Sequence, residues 1–456
     1  MHWKYADLII LTVPYKSYQN ILHAMPDGAD FIEYRFDYGS DLIQTEWNRF
    51  DAKSILTFRD QAEGGKQQIS SEQKCYLINE SLRASKALID CEYQFLIKHS
   101  GLSIPSERLI LSLHTDIDKY ELIKSFIETQ ISAKYYKLAV SCQSITELDE
   151  ITDLIKKNKP DNFIIIPTYP CSLSARLLYK LYHSCATYVH NAQPVISNQP
   201  SLDLITKCRI ETINSDTLIY AIIGKEQILD SLSVYVYNQW FKQTNQNKVF
   251  LPIVANSAEE AGSLICWIRK RAMVKGVAVT MPFKQTISSL INDTQQIVNS
   301  WLPETNTFTN TDEIAMKQAI EHFNLDKTDS ILIYGRGATA QTAQHILAQL
   351  GFTDITQLNR KDKSHNKTYQ LLINCTPFGL KKSDQPDILP EYSNLIDLPY
   401  GKQTTSLVSK AVANKLDYID GFVFWKWQAK AQAEFFGLEF EFKDNIDSVD
   451  LPKLIQ

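Results

Sequence analysis

Eight short runs rich in β-branched and aromatic residues recur across roughly the first two hundred positions of this 456-residue chain. They are LIILTV (8–13), FIEYRFD (31–37), SILTFR (54–59), ALIDCEY (87–93), LILSLHT (109–115), YYKLAV (135–140), FIIIPT (163–168) and ATYVHN (186–191). Amphipathic stretches of helix length separate them. Parallel strands need a crossover of about a dozen residues or more, and these gaps allow it. Eight such units predict a (β/α)8 barrel over 1–205, somewhat shorter than is usual for that fold.

The strand ends carry charge. In FIEYRFD, Glu33, Arg35 and Asp37 fall on one face, because side chains alternate along a strand. Three ionisable groups on one barrel face are costly to bury unless they pair. Arg59, Glu63, Asp90, Glu92, His114 and Lys137 stand near other strand ends. Either a structural ion network or a polar pocket at the C-terminal mouth satisfies them. Tyr136, Leu138 and Val140 flank Lys137, a desolvating setting that lowers a lysine pKa and favours the neutral amine. A neutral amine attacks ketones, and His114 is a nearby base.

Residues 206–216 read as a linker, and a new strand begins at TLIYAIIG (217–224). Further on, SILIYGRGATAQTAQHILAQLG (330–351) reads as strand, turn and helix, with Ala343, Ile346, Leu347 and Leu350 on one helical face. Gly335, Gly337 and Ala340 satisfy GxGxxG/A in the context that motif requires, a dinucleotide turn with phosphates at the helix N-terminus. Ala338, directly after Gly337, costs the turn the freedom a glycine would give. Asn359, Arg360 and Lys361, with Lys363 nearby, end the next strand. A basic cluster there favours the 2′-phosphate of NADP over NAD.

The ordered set ExRxD, TFRDQAEGG, IDCE, SLHT, YKLAV and SAR (174–176) resembles type I 3-dehydroquinate dehydratase. The resemblance implies that Lys137 forms an imine with the substrate ketone, that His114 moves the protons, and that Glu63 orients His114, with Glu92 as the second candidate for that task. It further implies that Arg176 holds the substrate carboxylate. Glu33, Arg35 and Arg59 would hold ring hydroxyls, and Gln199 would belong to a closing loop. That loop reads Val-Ile-Ser-Asn-Gln at 195–199 where the family has Ser-Ala-Pro-Gly-Gln, and Tyr-Pro-Cys stands at 169–171.

SLSVYVYN, GVAVTMPFK, INDTQQIVNS and NTD, followed by the dinucleotide turn, resemble shikimate dehydrogenase. The resemblance implies a two-lobed unit. Its substrate-binding domain covers 217–318, with helices of about 425–456 packing back on it, and a Rossmann-like NADP domain covers 319–424. Ser231 and Ser233 would bind the substrate carboxylate, and Thr280 and Asn299 the ring. Lys284 and Asp312 would be catalytic, with Tyr400 and Gln428 as further substrate contacts. Thr376 and Gly421 would touch the cofactor.

Dehydration of 3-dehydroquinate yields the ketone that shikimate dehydrogenase reduces, so the resemblance as a whole implies a bifunctional shikimate-pathway enzyme. Three alternatives stand beside it: a quinate/shikimate dehydrogenase fusion using NAD, a catalytically silent ligand-sensing relative, and a class I aldolase barrel. The net charge of −5 argues against nucleic acid or an anionic membrane as partner. The eight cysteines form no CxxC pair and no metal-spaced cluster, as expected in a reducing compartment. No signal-like segment opens the chain, and a cytoplasmic enzyme of small molecules, compatible with a monomer, is expected.

Overall fold

Each of the eight apolar runs becomes one strand of a single parallel sheet. They are β1 (Leu8–Pro14), β2 (Phe31–Arg35), β3 (Ser54–Thr57), β4 (Leu88–Glu92), β5 (Leu109–Asp116), β6 (Tyr135–Cys142), β7 (Phe163–Pro170) and β8 (Ala186–Val189). The computed structural model describes residues 8–440 except 18, 20, 23, 40–41, 43–44, 159–160, 171, 292–296, 363–366, 382, 385–388 and 402. Cys171, Lys363 and the expected helical stretch beyond 440 lie outside the described residues. The strand order β7-β6-β5-β4-β3-β2-β1-β8 is that of a (β/α)8 barrel. At the β7–β8 seam Cys185 N donates to Phe163 O at 2.8 Å. Alternation along the strands sends Ile10, Ile55, Leu88, Ile110, Ile164 and Tyr188 into one core.

The short length of the barrel has a local cause. Among the described residues, no α-helix bridges β1 to β2 or β2 to β3; 3-10 turns at Phe36–Tyr38 and Trp47–Arg49 lie between β2 and β3. Aromatic rings cover the sheet there instead. Phe36, fully buried, stacks on Tyr15 at 4.2 Å between centroids and meets Phe58 at 5.0 Å and Trp47 at 5.4 Å. Asp37 is part of that turn and not of β2, so it does not share a strand face with Glu33 and Arg35. It doubles back to clasp Arg35 at 2.7 and 2.8 Å.

Two further sheets follow. β9 (Leu218–Gly224), β10 (Lys248–Val254), β11 (Val274–Val279), β12 (Ser300–Leu302) and β13 (Thr307–Thr309) form one, in the order β10-β9-β11-β12-β13. β14 (Ile331–Tyr334), β15 (Ile355–Leu358), β16 (Tyr369–Asn374), β17 (Tyr392–Asp397) and β18 (Asp417–Asp420) form the other. This last sheet is parallel throughout, in the order β15-β14-β16-β17-β18. A parallel sheet needs both faces covered. Met316, Ile320, Ile346 and Leu347 cover one face, and Leu407, Val408 and Ala411 the other. The order reverses at β14, so a crevice is expected at its C-terminal end.

By packing, the chain falls into two compact units. The first takes the chain up to Ile219 with Gly224–Leu229 and Tyr237–Met273; the second takes Tyr220–Ile223, Asp230–Val236 and the chain from Val274 on. Among the described residues no helix is long and apolar enough to cross a membrane. Truncating Phe36 to Ala should remove the centre of the aromatic cover and destabilise the barrel by about 3–5 kcal/mol. Thermal unfolding would show a clear drop in Tm, whereas an unchanged Tm would mean that the rings do not replace the missing helices.

Two candidate active sites

In the barrel, charged groups from β2 to β6 converge on Asp90. Asp90, on β4, is 1 % exposed. It accepts from Ser112 Oγ at 2.6 Å and Arg59 Nη2 at 3.1 Å, and pairs with Lys137 Nζ. Burial opposes its charge, but the Lys137 and Arg59 cations prevail and hold its carboxyl far below the usual range. Glu33 lies 3.6 Å from Lys137 Nζ and accepts from Thr57 Oγ1 at 2.8 Å and Thr12 Oγ1 at 3.1 Å. The Lys137 amine therefore sits among carboxylates. Its apolar neighbours Tyr136, Leu138 and Val140 take the opposite face of β6, so they do not create the apolar pocket the sequence suggests.

Glu63 reaches His114 through the turn Gln61–Gly65. Gly64 there adopts φ +85°, and a Cβ on Gly65 would lie 2.3 Å from Arg59 O, so glycine is required at both positions. Glu63 Oε2 accepts from His114 N at 3.1 Å and lies 3.1 Å from Nδ1. Arg59 Nη1 approaches the same Nδ1 at 2.9 Å. Burial, then Arg59 and Lys137, push His114 well below its ordinary pKa, so the ring is neutral. Burial pushes Glu63 up to about 7, against the pull of Arg59. Glu92 serves elsewhere: it accepts from Asp60 N at 2.8 Å and from Lys74 Nζ at 2.5 Å.

Arg176 is 1 % exposed. Its Nε donates to Pro167 O at 3.1 Å, and Nη2 is buried without a partner. Burial pulls its pKa down to about 10. A guanidinium so placed favours an incoming anion. Gln199 faces the same inner cavity, with its Nε2 tied to Thr12 Oγ1 and Val189 O at 3.0 Å each. Arg35 is held by Asp37, and Arg59 is fully engaged by protein groups. The outer mouth is a cavity of about 680 Å³ that includes Arg35, Arg59, Glu63, His114, Lys66 and Lys119. Asp90, Thr12 and Lys74 belong to this constellation. Only Asp90 stood out in the sequence, as a strand-end acid; a lone threonine or helix lysine gives no pattern.

In the second unit, Lys284 opens the helix Lys284–Ile291 and pairs with Asp312, in the first turn of Thr311–Glu321. Asn299 Nδ2 donates to Asp312 Oδ1 at 2.8 Å, and Asn299 Oδ1 accepts from Thr311 N at 2.9 Å. Gln428 Nε2 donates to Thr311 Oγ1 at 2.8 Å, bringing the helix Gly421–Phe435 to the same place. Tyr400 stands near Asp312, whose carboxylate adds to burial in raising the phenol's pKa. Ser233 Oγ accepts from Trp425 Nε1 at 3.4 Å, which leaves its own proton to give. Ser231 stands just before the helix Leu232–Gln243, and Thr280 N donates to Ile223 O at 2.9 Å.

At the end of β14, Gly335 has φ +132°, and a Cβ there would meet Thr376 Cγ2 at 2.9 Å, so the turn requires glycine. Gly337 has open space around it, and no side chain caps the helix Ala338–Gln349 that follows. Free N–H groups at a helix start suit a phosphate, so these residues fit a dinucleotide. Ala338 is the first helical residue and Ala340 is buried in the same helix, so Ala338 costs the turn nothing, contrary to the expectation from sequence. Thr376 caps Asn374, donating from Oγ1 to Asn374 Oδ1 at 2.8 Å. Gly421, buried, begins the helix after β18. Arg360 lies 3.5 Å from Asp384, and Lys361 is exposed. The basic cluster also has an acid: Asp362 accepts from Asn359 N at 2.8 Å and from Arg336 Nη2 at 3.1 Å. Among the described residues no group of three or more His, Cys, Asp or Glu could hold a metal ion.

Comparison with known proteins assigns two stretches of the chain to two families. Residues 9–208 match the model of the type I 3-dehydroquinases. Residues 222–300 match the shikimate dehydrogenase substrate-binding domain. A shikimate dehydrogenase (NADP(+)) of Saccharolobus islandicus is 26% identical over 239 residues, covering 46% of this chain and 86% of its own. One from Clostridium botulinum is 27% identical over 233 residues, covering 44% of this chain and 89% of its own. Among solved structures, the dehydroquinate dehydratase and shikimate dehydrogenase of S. pombe covers 95% of this chain and 96% of its own, at 17% identity and a TM-score of 0.38. The family matches and the sequence relatives place domains of both families in one polypeptide, a type I 3-dehydroquinase domain followed by a shikimate dehydrogenase substrate-binding domain.

Proposed function

We propose that the barrel dehydrates 3-dehydroquinate through an imine on Lys137, and that the second unit reduces the product, 3-dehydroshikimate, to shikimate with NADPH. The observation that carries the reading is the meeting of a buried amine, a neutral imidazole and an uncompensated buried guanidinium around one cavity. Arg176 takes the substrate carboxylate. Lys137 gives up a proton, for which neutral His114 is an acceptor, and its nitrogen attacks the ketone carbon. His114 returns that proton to the carbinolamine oxygen, and loss of water leaves a protonated imine and a neutral imidazole. That cation draws electrons from the neighbouring carbon, whose proton passes to His114. The β-hydroxyl leaves as water with a proton from His114, and a second water hydrolyses the imine to free the product and Lys137.

The base requires the right tautomer. His114 Nε2 carries a lone pair only when Nδ1–H donates to Glu63, and that needs the Glu63 carboxylate. In the second unit, Lys284 donates to the ketone oxygen, stabilises its growing charge and protonates it, while Asp312 fixes the ammonium and bonds a ring hydroxyl. A bound nicotinamide supplies the hydride. Gly335, Gly337 and the N–H groups that follow would hold its phosphates, and Arg360 and Lys361 a 2′-phosphate. The acid at Asp362 favours a second reading at this one point, use of NADH, since a carboxylate there suits a free ribose.

Three outcomes are expected. Lys137→Ala lowers dehydration by more than about 10³-fold and leaves reduction intact, and Lys284→Ala does the reverse. Loss of both activities from either change in a folded protein would contradict two separate sites. For dehydration, kcat/KM rises as pH climbs through about 7, because Glu63 must lose its proton there. Glu63→Gln flattens that limb and costs roughly 10²-fold; an unaltered pH profile in that variant would assign the limb elsewhere. Initial rates with NADPH exceed those with NADH at equal concentration, and the opposite order would favour the second reading.

A further inference from the structure

On β8, Ala186 and Tyr188 point into the barrel core while Thr187 points away, its Oγ1 donating to Arg176 O at 3.2 Å. Tyr188 lines the inner cavity with Lys137, Glu33, His114, Arg176 and Gln199. It is 5 % exposed. Lys137 Nζ stands 4.7 Å from the centre of its ring, over a π-face that attracts cations. The ring thus supports both the resting ammonium and any cation formed at that nitrogen.

The hydroxyl is a separate matter. Among the described residues no group bonds the buried Tyr188 oxygen. Most of its neighbours in the cavity are engaged: Thr12 donates to Glu33, Gln199 bonds Thr12 and Val189, and Arg59 bonds Asp90 and Ser112. Arg176 Nη2 is the other orphan, and its role is to receive an anion. A buried hydroxyl without a partner costs stability, and phenylalanine would present the same ring face without that cost. Burial and the nearby Glu33 and Asp90 carboxylates push the phenol well above its ordinary pKa, so it stays an O–H donor at working pH.

We infer that Tyr188 is a further substrate-contacting residue of the dehydratase site, its hydroxyl donating to an oxygen of the bound carbocycle while its ring face supports the cation at Lys137. This rests on the dehydratase reading above.

The test is steady-state dehydration of 3-dehydroquinate by the full chain and by Tyr188→Phe, with thermal unfolding of both. The expected result is a fall in kcat/KM of about 5-fold or more, carried mainly by KM, with Tm equal or higher because an unpaired buried hydroxyl has gone. Tyr188→Leu, which also removes the ring face, should lower kcat in addition. Values of kcat and KM within about twofold of the parent for Tyr188→Phe would overturn the inference while the parent's turnover leaves the dehydratase reading standing. A Tm several degrees lower would also overturn it, by making the hydroxyl structural. A folded parent without dehydratase activity would sink both.

Discussion

The Asp90 carboxylate is the fixed point of the barrel. It is buried and binds Arg59, just past β3, Ser112 on β5 and Lys137 on β6 at once. Such a charge is tolerated inside a protein only when it is matched, and the match extends outward. Three cations (Arg59, Lys74 and Lys137) face three carboxylates (Asp90, Glu33 and Glu92) through contacts of 3.6 Å or less. Glu63 is the fourth acid, with no cation of its own and only a shared approach to Arg59 at 3.6 Å. Burial, only partly offset by Arg59, pushes Glu63 up to about 7. Arg176 is the reverse case: among the described residues no acid pairs with this buried cation, which suits it to an anion from outside.

The two lysines are built for different tasks. Lys137 is 5 % exposed, lies over a tyrosine ring and shares two carboxylates, which suits a nitrogen that becomes part of a covalent cation. Lys284 is paired with one carboxylate, which Asn299 in turn orients. That suits an ammonium that approaches a substrate oxygen without bonding to carbon. On the proposed reading, the same residue type would serve covalent and electrostatic catalysis in one chain, according to how much negative charge surrounds it.

Much of this was legible in the chain itself. All eight barrel strands lie where the apolar runs are, because buried strands need such runs. His114, Glu63, Lys137, Lys284 and Asp312 sit in motifs whose spacing follows strand ends and helix starts. What the sequence hid was tertiary. Asp37 reads as a strand residue but lies in a 3-10 turn, since Arg35 draws it back. Where no crossover helix stands among the described residues, rings from Tyr15, Phe36, Trp47 and Phe58 cover the sheet, a contact set without periodicity. Lys137's apolar sequence neighbours proved to be on the other face, and the carboxylates around it come from β2 and β4. Ala338 lies inside the helix and not in the turn, a boundary difference of one residue.

The account stands or falls on a covalent bond at one nitrogen. Borohydride added during turnover of 3-dehydroquinate should reduce an imine and fix substrate-derived mass on the peptide that contains Lys137, as read by mass spectrometry. Continued dehydration with no adduct, or with the adduct on a different lysine, would contradict it.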